Sequence, residues 1–525
     1  MLDFKVPGTD PAVQHTVETR PKAVAAWLGR LPFASPADVA QQLVVALHAL
    51  NRHALGADDR SALLGLYRPV VARATASLEA LLAESGVPPH AHQRQTGTLL
   101  RELQLEHGIG YKQLLLALVS RRFGRPNPKH LAEASAFLLG ALRDLQTACY
   151  LTYSPLPAGL WQDMRQVFQF AQSTGLADTS SEAVPPASLI YRQALLIALA
   201  DPPHMSHAEL VHTRLYLEQF AGLAQLATTP TSARGFAIRT EGDDPPSHFA
   251  ASPGEASIWL DTDALCRHLH ETVIRLRTGE TLRRIGLPAG MESEITQTLC
   301  KRLLKEWGVN TQRAFRRFTT PGSTVEVVAG VSAIHRLLDP QPHAQPIDPG
   351  KADSLAIPDV QAVSAPAAPV AVNATVWVVS NDSAAGIALS GTPDAPLNLK
   401  VGDPLALSTD QAAGWSLGVI RWIRMRDARK VELGVERLSP QIQPVSVRPL
   451  RGRRTASPEP ALFVPGLNAL KQEDRLLLPR HLYQIGMDAE VQHAPTPYAI
   501  TFGRLLERTP SFDLIDFTVL EDEQP

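Results

Sequence analysis

The spacing of apolar residues changes along the chain and divides it into a helical part and a β-rich part. Between residues 20 and 230, apolar side chains recur every three or four positions, as at Val39, Leu43 and Leu47. This is the period of an amphipathic helix. The pattern predicts helices over residues 36–50, 59–85, 93–106, 111–122, 129–152, 159–174, 187–200 and 207–227. Because each apolar stripe must be buried against another, we expect residues 1–230 to form an α-helical bundle or superhelix.

Residues 231–310 have a different pattern from the helical region. Two short strand-like runs, at 235–239 and 257–260, come before two amphipathic helical segments at 261–278 and 291–307. We therefore expect a mixed segment of short strands and helices between the helical region and the rest of the chain.

A third pattern, in which apolar and polar residues alternate, dominates the second half of the chain. Val431, Leu433 and Val435 alternate with polar or small residues, which is typical of a half-buried antiparallel strand. Strands are predicted over residues 324–329, 375–380, 386–390, 404–408, 415–424 and 430–438. This spacing predicts a small antiparallel β-barrel at 311–450, followed by a β-rich C-terminal extension at 451–525. The predicted fold class is multidomain α+β.

Composition limits the classes of function that fit the chain. A chain of 525 residues is too long for a single hydrophobic core, so several domains are expected. The formal net charge of −2 gives no general attraction to nucleic acid. We find no apolar run of about 18 residues that predicts a membrane span, and no apolar leader at the N-terminus. The three widely spaced cysteines favour neither a disulfide framework nor a metal site, so we expect a cytoplasmic protein without a metal cofactor.

Two short motifs carry the clearest candidate chemistry, and the first is a pair of arginines. Arg313 and Arg317 are four residues apart, with Arg316 between them, shortly before the predicted strand 324–329. Side chains four apart lie on the same side of a helix or of an extended strand, so both guanidinium groups can face one ligand. A guanidinium group presents a planar set of donors that fits a phosphate or the edge of a guanine base.

The second motif, Asn381-Asp382-Ser383-Ala384-Ala385-Gly386, comes directly after the predicted strand 375–380. In a loop at this position, Asn381 and Ser383 would offer short polar groups to a ligand. Gly386 would allow a sharp turn or the close approach of a planar base. Each motif alone has an ordinary structural explanation, since paired arginines often lie on a solvated face and Asn, Ser and Gly are common turn residues.

Taken in sequence order, the two motifs resemble the RxxxR and (D/N)xSxxG signatures of PilZ domains, which bind the bacterial messenger cyclic di-GMP. The resemblance covers about residues 310–440. It implies a PilZ-like β-barrel in which the following residues bind the nucleotide: Arg313, Arg316, Arg317, Asn381, Ser383 and Gly386. The chain departs from the family pattern at 339–373, a stretch rich in Pro and Ala that favours an extended linker. PilZ domains usually have a short connection at this place.

The resemblance also implies a function, namely a non-enzymatic cytoplasmic receptor for cyclic di-GMP in bacterial signalling, such as biofilm or motility control. The ligand would order the arginine segment and thereby change how the barrel is coupled to the helical region. The helical region would bind a protein partner. The alternative is an interaction scaffold with a PilZ-like barrel that binds no nucleotide. Arg313 and Arg317 would then pair with acids such as Glu432 or Glu436. We find no converging acid and base groups in the helical region that would predict an enzyme.

Overall fold

A computed structural model gives the structure of most of the chain. The described residues are 2–13, 17–83, 85–87, 89–120, 127–229, 235–248, 257–308, 323–339, 374–383, 385–392, 398–409, 414–427, 430–450, 457–466, 472–492 and 497–520. The chain divides into two compact units. The first contains Met1–Ala314 and Arg424–Arg429, and the second contains Phe315–Ile423 and Lys430–Pro525.

Helices α1 to α8 make up most of the first unit. Their bounds are Pro21–Leu28, Pro36–Asn51, Ala57–Leu82, Ala91–Val119, Pro128–Leu151, Leu160–Ser173, Ala187–Leu199 and His207–Phe220. Helix α4 packs against α2, α3 and α5, and the buried Leu43, Leu64 and Leu115 belong to one hydrophobic core. The predicted helical region is confirmed, and its shared core makes it a bundle.

Helix α4 is longer than the sequence predicts. Two helices were expected on either side of Gly108 and Gly110, but α4 runs through both glycines. A Cβ atom at residue 110 would lie 2.8 Å from Leu64 Cδ2 and 3.2 Å from Asn51 Oδ1. Glycine therefore lets α4 approach α2 and α3 closely. This packing outweighs the loss of about 1 kcal/mol that a glycine causes inside a helix.

The rest of the first unit combines short strands with helices, as expected for the mixed segment. Strands β1 to β4 are Gln225–Ala227, Phe236–Arg239, Ser247–His248 and Ser257–Asp261, and they form a sheet in the order β1-β4-β2-β3. Helices α9 to α11 are Asp263–Arg277, Leu282–Ile285 and Ser293–Gly308. The helix predicted over 207–227 was too long, because α8 ends at Phe220 and β1 pairs with β4.

Six antiparallel strands close into a first barrel. Strands β5 to β10 are Thr324–Ala329, Thr375–Ser383, Gly386–Gly391, Pro404–Ser408, Ser416–Asp427 and Lys430–Ser439. Their order around the barrel is β10-β7-β6-β5-β8-β9. The predicted small barrel is confirmed. The Pro- and Ala-rich linker at 339–373 lies outside the described residues, except for residue 339.

Six further strands close into a second barrel. Strands β11 to β16 are Gln443–Pro449, Glu459–Val464, Arg475–Pro479, Asp488–Gln492, Tyr498–Arg508 and Phe512–Val519. When the six strands of each barrel are counted along the chain, both barrels have the same order of neighbouring strands. This order is first, second, third, sixth, fifth, fourth, and the fourth strand pairs with the first. The second barrel thus repeats the topology of the first. It begins before residue 451, where the C-terminal extension was expected to start, because β11 pairs with β12 and β14.

The two barrels share a hydrophobic core that is built around a helix. Helix α12, Val331–Leu338, packs on β5 and β8 of the first barrel and on β11 and β12 of the second. Its buried Val331 and Ile334 lie in one cluster with Leu417 of the first barrel and Phe512 of the second. This helix was not predicted from the sequence, because eight residues contain only two turns of helical period.

Candidate ligand-binding site

The second motif lies in a tight hairpin. Strand β6 extends to Ser383, β7 begins at Gly386, and these two residues are register partners. Ser383 Oγ donates a hydrogen bond to the Gly386 carbonyl oxygen at 2.8 Å and accepts one from the Gly386 amide at 3.2 Å. The expectation that Asn381 and Ser383 lie in a loop was wrong. The strand continues past a register shift between Val379 and Asn381, as it does at a β-bulge.

Gly386 holds the hairpin close to the neighbouring strand. A Cβ atom at residue 386 would lie 2.5 Å from the Val435 carbonyl oxygen and 3.5 Å from Glu436 Cα. Gly386 and Glu436 are register partners between β7 and β10. Glycine at this position is therefore required by the packing of the barrel itself.

Asn381 lies in β6, where it is half-buried and pairs with Ala388 of β7. Among the described residues, no hydrogen-bond partner is found for its side-chain amide. A carboxamide has both donors and an acceptor. In the described part of the chain, the donors and the acceptor of the Asn381 side chain are thus not used by another side chain or by the backbone.

Arg437 is a further basic residue at this hairpin that sequence reasoning missed. Its Nη2 donates to both carboxylate oxygens of Asp382, at 2.9 Å and 3.1 Å. Its backbone amide donates to the Ala385 carbonyl oxygen at 3.0 Å. The side chain is 34% exposed. The predicted strand 430–438 included Arg437, but only the pairing of β10 with β7 places it beside the hairpin.

Arg313, Arg316 and Arg317 lie outside the described residues. The described chain resumes at Ser323, whose carbonyl oxygen accepts a hydrogen bond from the Val379 amide at 2.8 Å. Strand β5 is antiparallel to β6. The end of β6 that carries the second motif is therefore the end at which the chain enters the barrel.

Arg421 links the hairpin side of the first barrel to the second barrel. Its Nε donates to Glu436 Oε2 at 2.5 Å, and its Nη2 donates to Glu507 Oε2 of β15 at 3.0 Å. Burial lowers the pKa of Arg421, but the bonds and charges of Glu507 and Glu436 outweigh this effect and raise it. Arg421 therefore already pairs with Glu436, one of the two acids that the scaffold alternative assigned to Arg313 and Arg317.

The part of the chain that the structure describes offers neither a metal site nor a membrane-spanning helix. Within it, no group of three or more His, Cys, Asp or Glu side chains could hold a metal ion. None of the described helices is long and apolar enough to cross a membrane.

Three family models match successive parts of the chain. The model of the N-terminal domain of the cyclic-di-GMP receptor FimW matches residues 22–231, which contain the helical bundle. The model of the middle PilZ domain matches 235–353 and 359–444, and the model of the C-terminal β-barrel domain matches 445–520. The chain belongs to the FimW family. The resemblance to PilZ domains that rested on two short motifs is thereby confirmed.

The similarity to FimW extends over almost the whole chain. The cyclic-di-GMP receptor FimW of Pseudomonas aeruginosa is 24% identical over 581 aligned positions, which cover 99% of this chain and 94% of the relative. No solved structure matches the chain.

Proposed function

We propose that this chain is a cyclic di-GMP receptor whose binding site combines the β6–β7 hairpin with the arginine segment 313–317. The observation that supports this most directly is the entry of β5 beside the hairpin. Ser323 is hydrogen-bonded to Val379, four positions before Ser383. A segment that precedes Ser323 is therefore attached next to the second motif, although the sequence separates the two motifs widely.

The segment between Arg317 and Ser323 is long enough for Arg317 to contact the β6–β7 hairpin. Arg317 precedes Ser323 by six positions, and six residues span at most about 20 Å. The stretch from Val379 to Ser383 along β6 is about 13 Å long. The guanidinium group of Arg317 can therefore contact any position between Val379 and the end of the hairpin.

The chemistry of the ligand suits these groups. Cyclic di-GMP carries two phosphates and two guanine bases, and a guanidinium group can bind either a phosphate or guanine O6 and N7 with two parallel hydrogen bonds. In the proposed site, Arg313 and Arg317 bind these groups, assisted by Arg316. The carboxamide of Asn381 binds the edge of a base. Arg437, oriented by Asp382, adds positive charge near the phosphates.

Signal output is assigned to the helical unit. Along the sequence, the arginine segment lies between α11 of the first unit and β5 of the second. Like charges in this segment repel one another until the ligand phosphates neutralise them, so binding orders the segment and changes the coupling between the units. In this proposal the protein acts in the cytoplasm by binding, and a protein partner recognises the helical unit.

Calorimetric titration with cyclic di-GMP tests the site. Arg317→Ala removes a charged hydrogen-bonding group, so we expect a loss of about 2–3 kcal/mol, or roughly 30- to 150-fold in affinity. The matched control is Arg504→Ala, which removes an arginine that is 80% exposed in the second barrel and should leave the affinity unchanged. Equal affinities of the wild type and Arg317→Ala for cyclic di-GMP would show that Arg317 is not part of the binding site. A folded wild type that binds no cyclic di-GMP would favour the scaffold alternative.

The proposed ordering has its own test. Trypsin cleaves after arginine, so cyclic di-GMP should slow cleavage at Arg313, Arg316 and Arg317. Hydrogen exchange in α11, which ends five residues before Arg313, should slow as well if the change reaches the helical unit. Protection of the arginines without any change in α11 would confine the effect to the barrel.

A further inference from the structure

A cavity of about 290 Å³ lies in the first unit where the end of α3, the start of α4 and the end of α5 meet, and Met425 of the same unit also lines it. Leu82, Val87 and Leu151 line it with apolar surface, and all three are buried. Its polar lining includes Gln93, Arg94, Thr98, Arg101, Thr152 and Ser154. The cavity thus has apolar walls and a basic, hydroxyl-rich side.

Arg101 is the central polar group of this cavity. Its Nη1 donates to Thr152 Oγ1 at 2.7 Å, and its Nη2 donates to Thr98 Oγ1 at 3.3 Å. In the part of the chain that the structure describes, no carboxylate forms an ion pair with it. Burial lowers the pKa of Arg101, although Cys149 and Glu102 oppose this effect. Among the described residues, this half-buried cation is hydrogen-bonded only to neutral hydroxyls, and burying a charge without a bonded partner of opposite charge is costly.

The face of α4 that borders the cavity keeps the guanidinium group accessible. Arg94, Gly97 and Arg101 lie on one side of the helix because their spacings of three, four and seven follow the helical period. A Cβ atom at Gly97 would lie 2.9 Å from Thr152 Cγ2 and 3.6 Å from Arg101 Nη1. Glycine therefore lets the end of α5 approach α4 without filling the space beside Arg101. Arg94 provides a second, exposed cation at the same cavity.

We propose that this cavity binds a small organic anion, with its carboxylate on Arg101 and a short hydrocarbon body against Leu82, Val87 and Leu151. A carboxylate supplies a directly bonded counter-charge, which no described residue gives Arg101, and it accepts two parallel hydrogen bonds from a guanidinium fork. The apolar walls gain from burying the hydrocarbon part. The cavity volume lies just below the range for small-molecule pockets, about 300–1,000 Å³, which favours a short ligand over a nucleotide or a peptide.

A pair of probes that differ only in charge tests this proposal on the full-length protein. Hexanoate and hexanamide share the same alkyl chain, so the cavity should prefer hexanoate. We expect hexanoate to raise the melting temperature and to give saturation-transfer signals from its alkyl protons, and we expect hexanamide to do so only at much higher concentration. Equal responses to the two probes would overturn the proposal, as would the lack of any response.

Substitutions at Arg101 locate the binding. Arg101→Gln should weaken hexanoate binding about tenfold or more. Arg101→Lys keeps the charge but loses the fork, so it should bind with intermediate affinity, and it serves as the test variant if Arg101→Gln does not fold. Arg504→Gln is the control and should bind like the wild type. Wild-type affinity in both Arg101 variants would exclude this cavity. The affinity of these variants for cyclic di-GMP should be unchanged, so the result is independent of the nucleotide site.

Discussion

The backbone of Gly386 lies in contact with the backbone of Val435, so that a Cβ atom at residue 386 would be 2.5 Å from the Val435 carbonyl oxygen. Gly386→Ala must therefore push β7 away from β10. We expect a loss of about 1–3 kcal/mol in stability, which is typical of overpacking, and a loss of cyclic di-GMP binding because the hairpin moves. Denaturation followed by fluorescence and calorimetric titration measure the two effects. Gly8→Ala is the control, since Gly8 has open space around it.

The ion pair between Arg437 and Asp382 predicts opposite effects from its two members. Arg437→Ala removes a positive charge near the ligand phosphates and leaves a carboxylate unpaired, so we expect roughly tenfold weaker cyclic di-GMP binding. Asp382→Asn removes a negative charge and should bind at least as tightly as the wild type. Arg448→Ala breaks a comparably exposed pair with Glu490 in the second barrel and is the control. A similar loss in both hairpin variants would mean that the pair acts only by holding the hairpin in shape.

Two helical glycines should respond to alanine in opposite directions. Gly110→Ala places a methyl group 2.8 Å from Leu64 Cδ2, so we expect it to cost about 1–3 kcal/mol. A Cβ atom at Gly65 of α3 would meet no other atom within 4 Å, and Gly65→Ala should stabilise the bundle by about 0.5–1 kcal/mol. Thermal and urea denaturation followed by circular dichroism compare the two variants. Stabilisation by Gly110→Ala would contradict the close packing of α4.

Arg421 and Glu507 should be energetically coupled across the two barrels. Their side chains are 31% and 26% exposed, so we expect a coupling energy of about 1–2 kcal/mol in a double-mutant cycle of Arg421→Ala and Glu507→Ala. The control cycle combines Arg421→Ala with Glu490→Ala, and its effects should add. Additive effects in the first cycle would show that the bridge contributes no stability.

The buried imidazole of His107 predicts a pH dependence of stability. Burial lowers its pKa from 6.5 to about 4, with smaller opposing and supporting effects of Asp144 and Arg68. Between these two pH values the unfolded chain binds a proton that the folded chain does not. The free energy of unfolding should therefore fall as the pH drops from 6.5 to 4. Below pH 4, His107 should cause no further loss. The loss is on the order of 3 kcal/mol.

Two substitutions isolate the contribution of His107. His107→Leu should show a weaker decline between pH 6.5 and 4, measured by urea denaturation at each pH. His481→Leu replaces an imidazole that is 68% exposed and should follow the wild-type profile. An unchanged profile in His107→Leu would show that this histidine takes up a proton in the folded state.

The local spacing of apolar residues was sufficient to predict the fold class, because helices and half-buried strands each have their own spacing. It failed where a distant contact decides the local structure. Gly110 interrupts the helical pattern in the sequence, yet α4 continues because Leu64 and Asn51 approach it from other helices. Helix α12 is too short for a clear period, and its burial depends on both barrels.

The site was predictable to the extent that its chemistry is concentrated in short motifs. The positions of Asn381, Ser383 and Gly386 in one hairpin agree with their sequence proximity. Arg437 was not found, since it is 55 residues away from Asp382 along the chain and only the register between β7 and β10 brings the two together. Arg313, Arg316 and Arg317 remain predictions from the sequence.

The shared cluster around α12 has a consequence for the order of events during synthesis. Val331, Ile334 and Leu417 leave the ribosome well before their partners Leu462 and Phe512. Until those partners are synthesised, one side of the nascent PilZ barrel exposes apolar surface. The strands that emerge next belong to a barrel of the same topology. The nascent chain must therefore avoid exchanging strands between its two similar halves, and early termination within the C-terminal barrel would yield an aggregation-prone product.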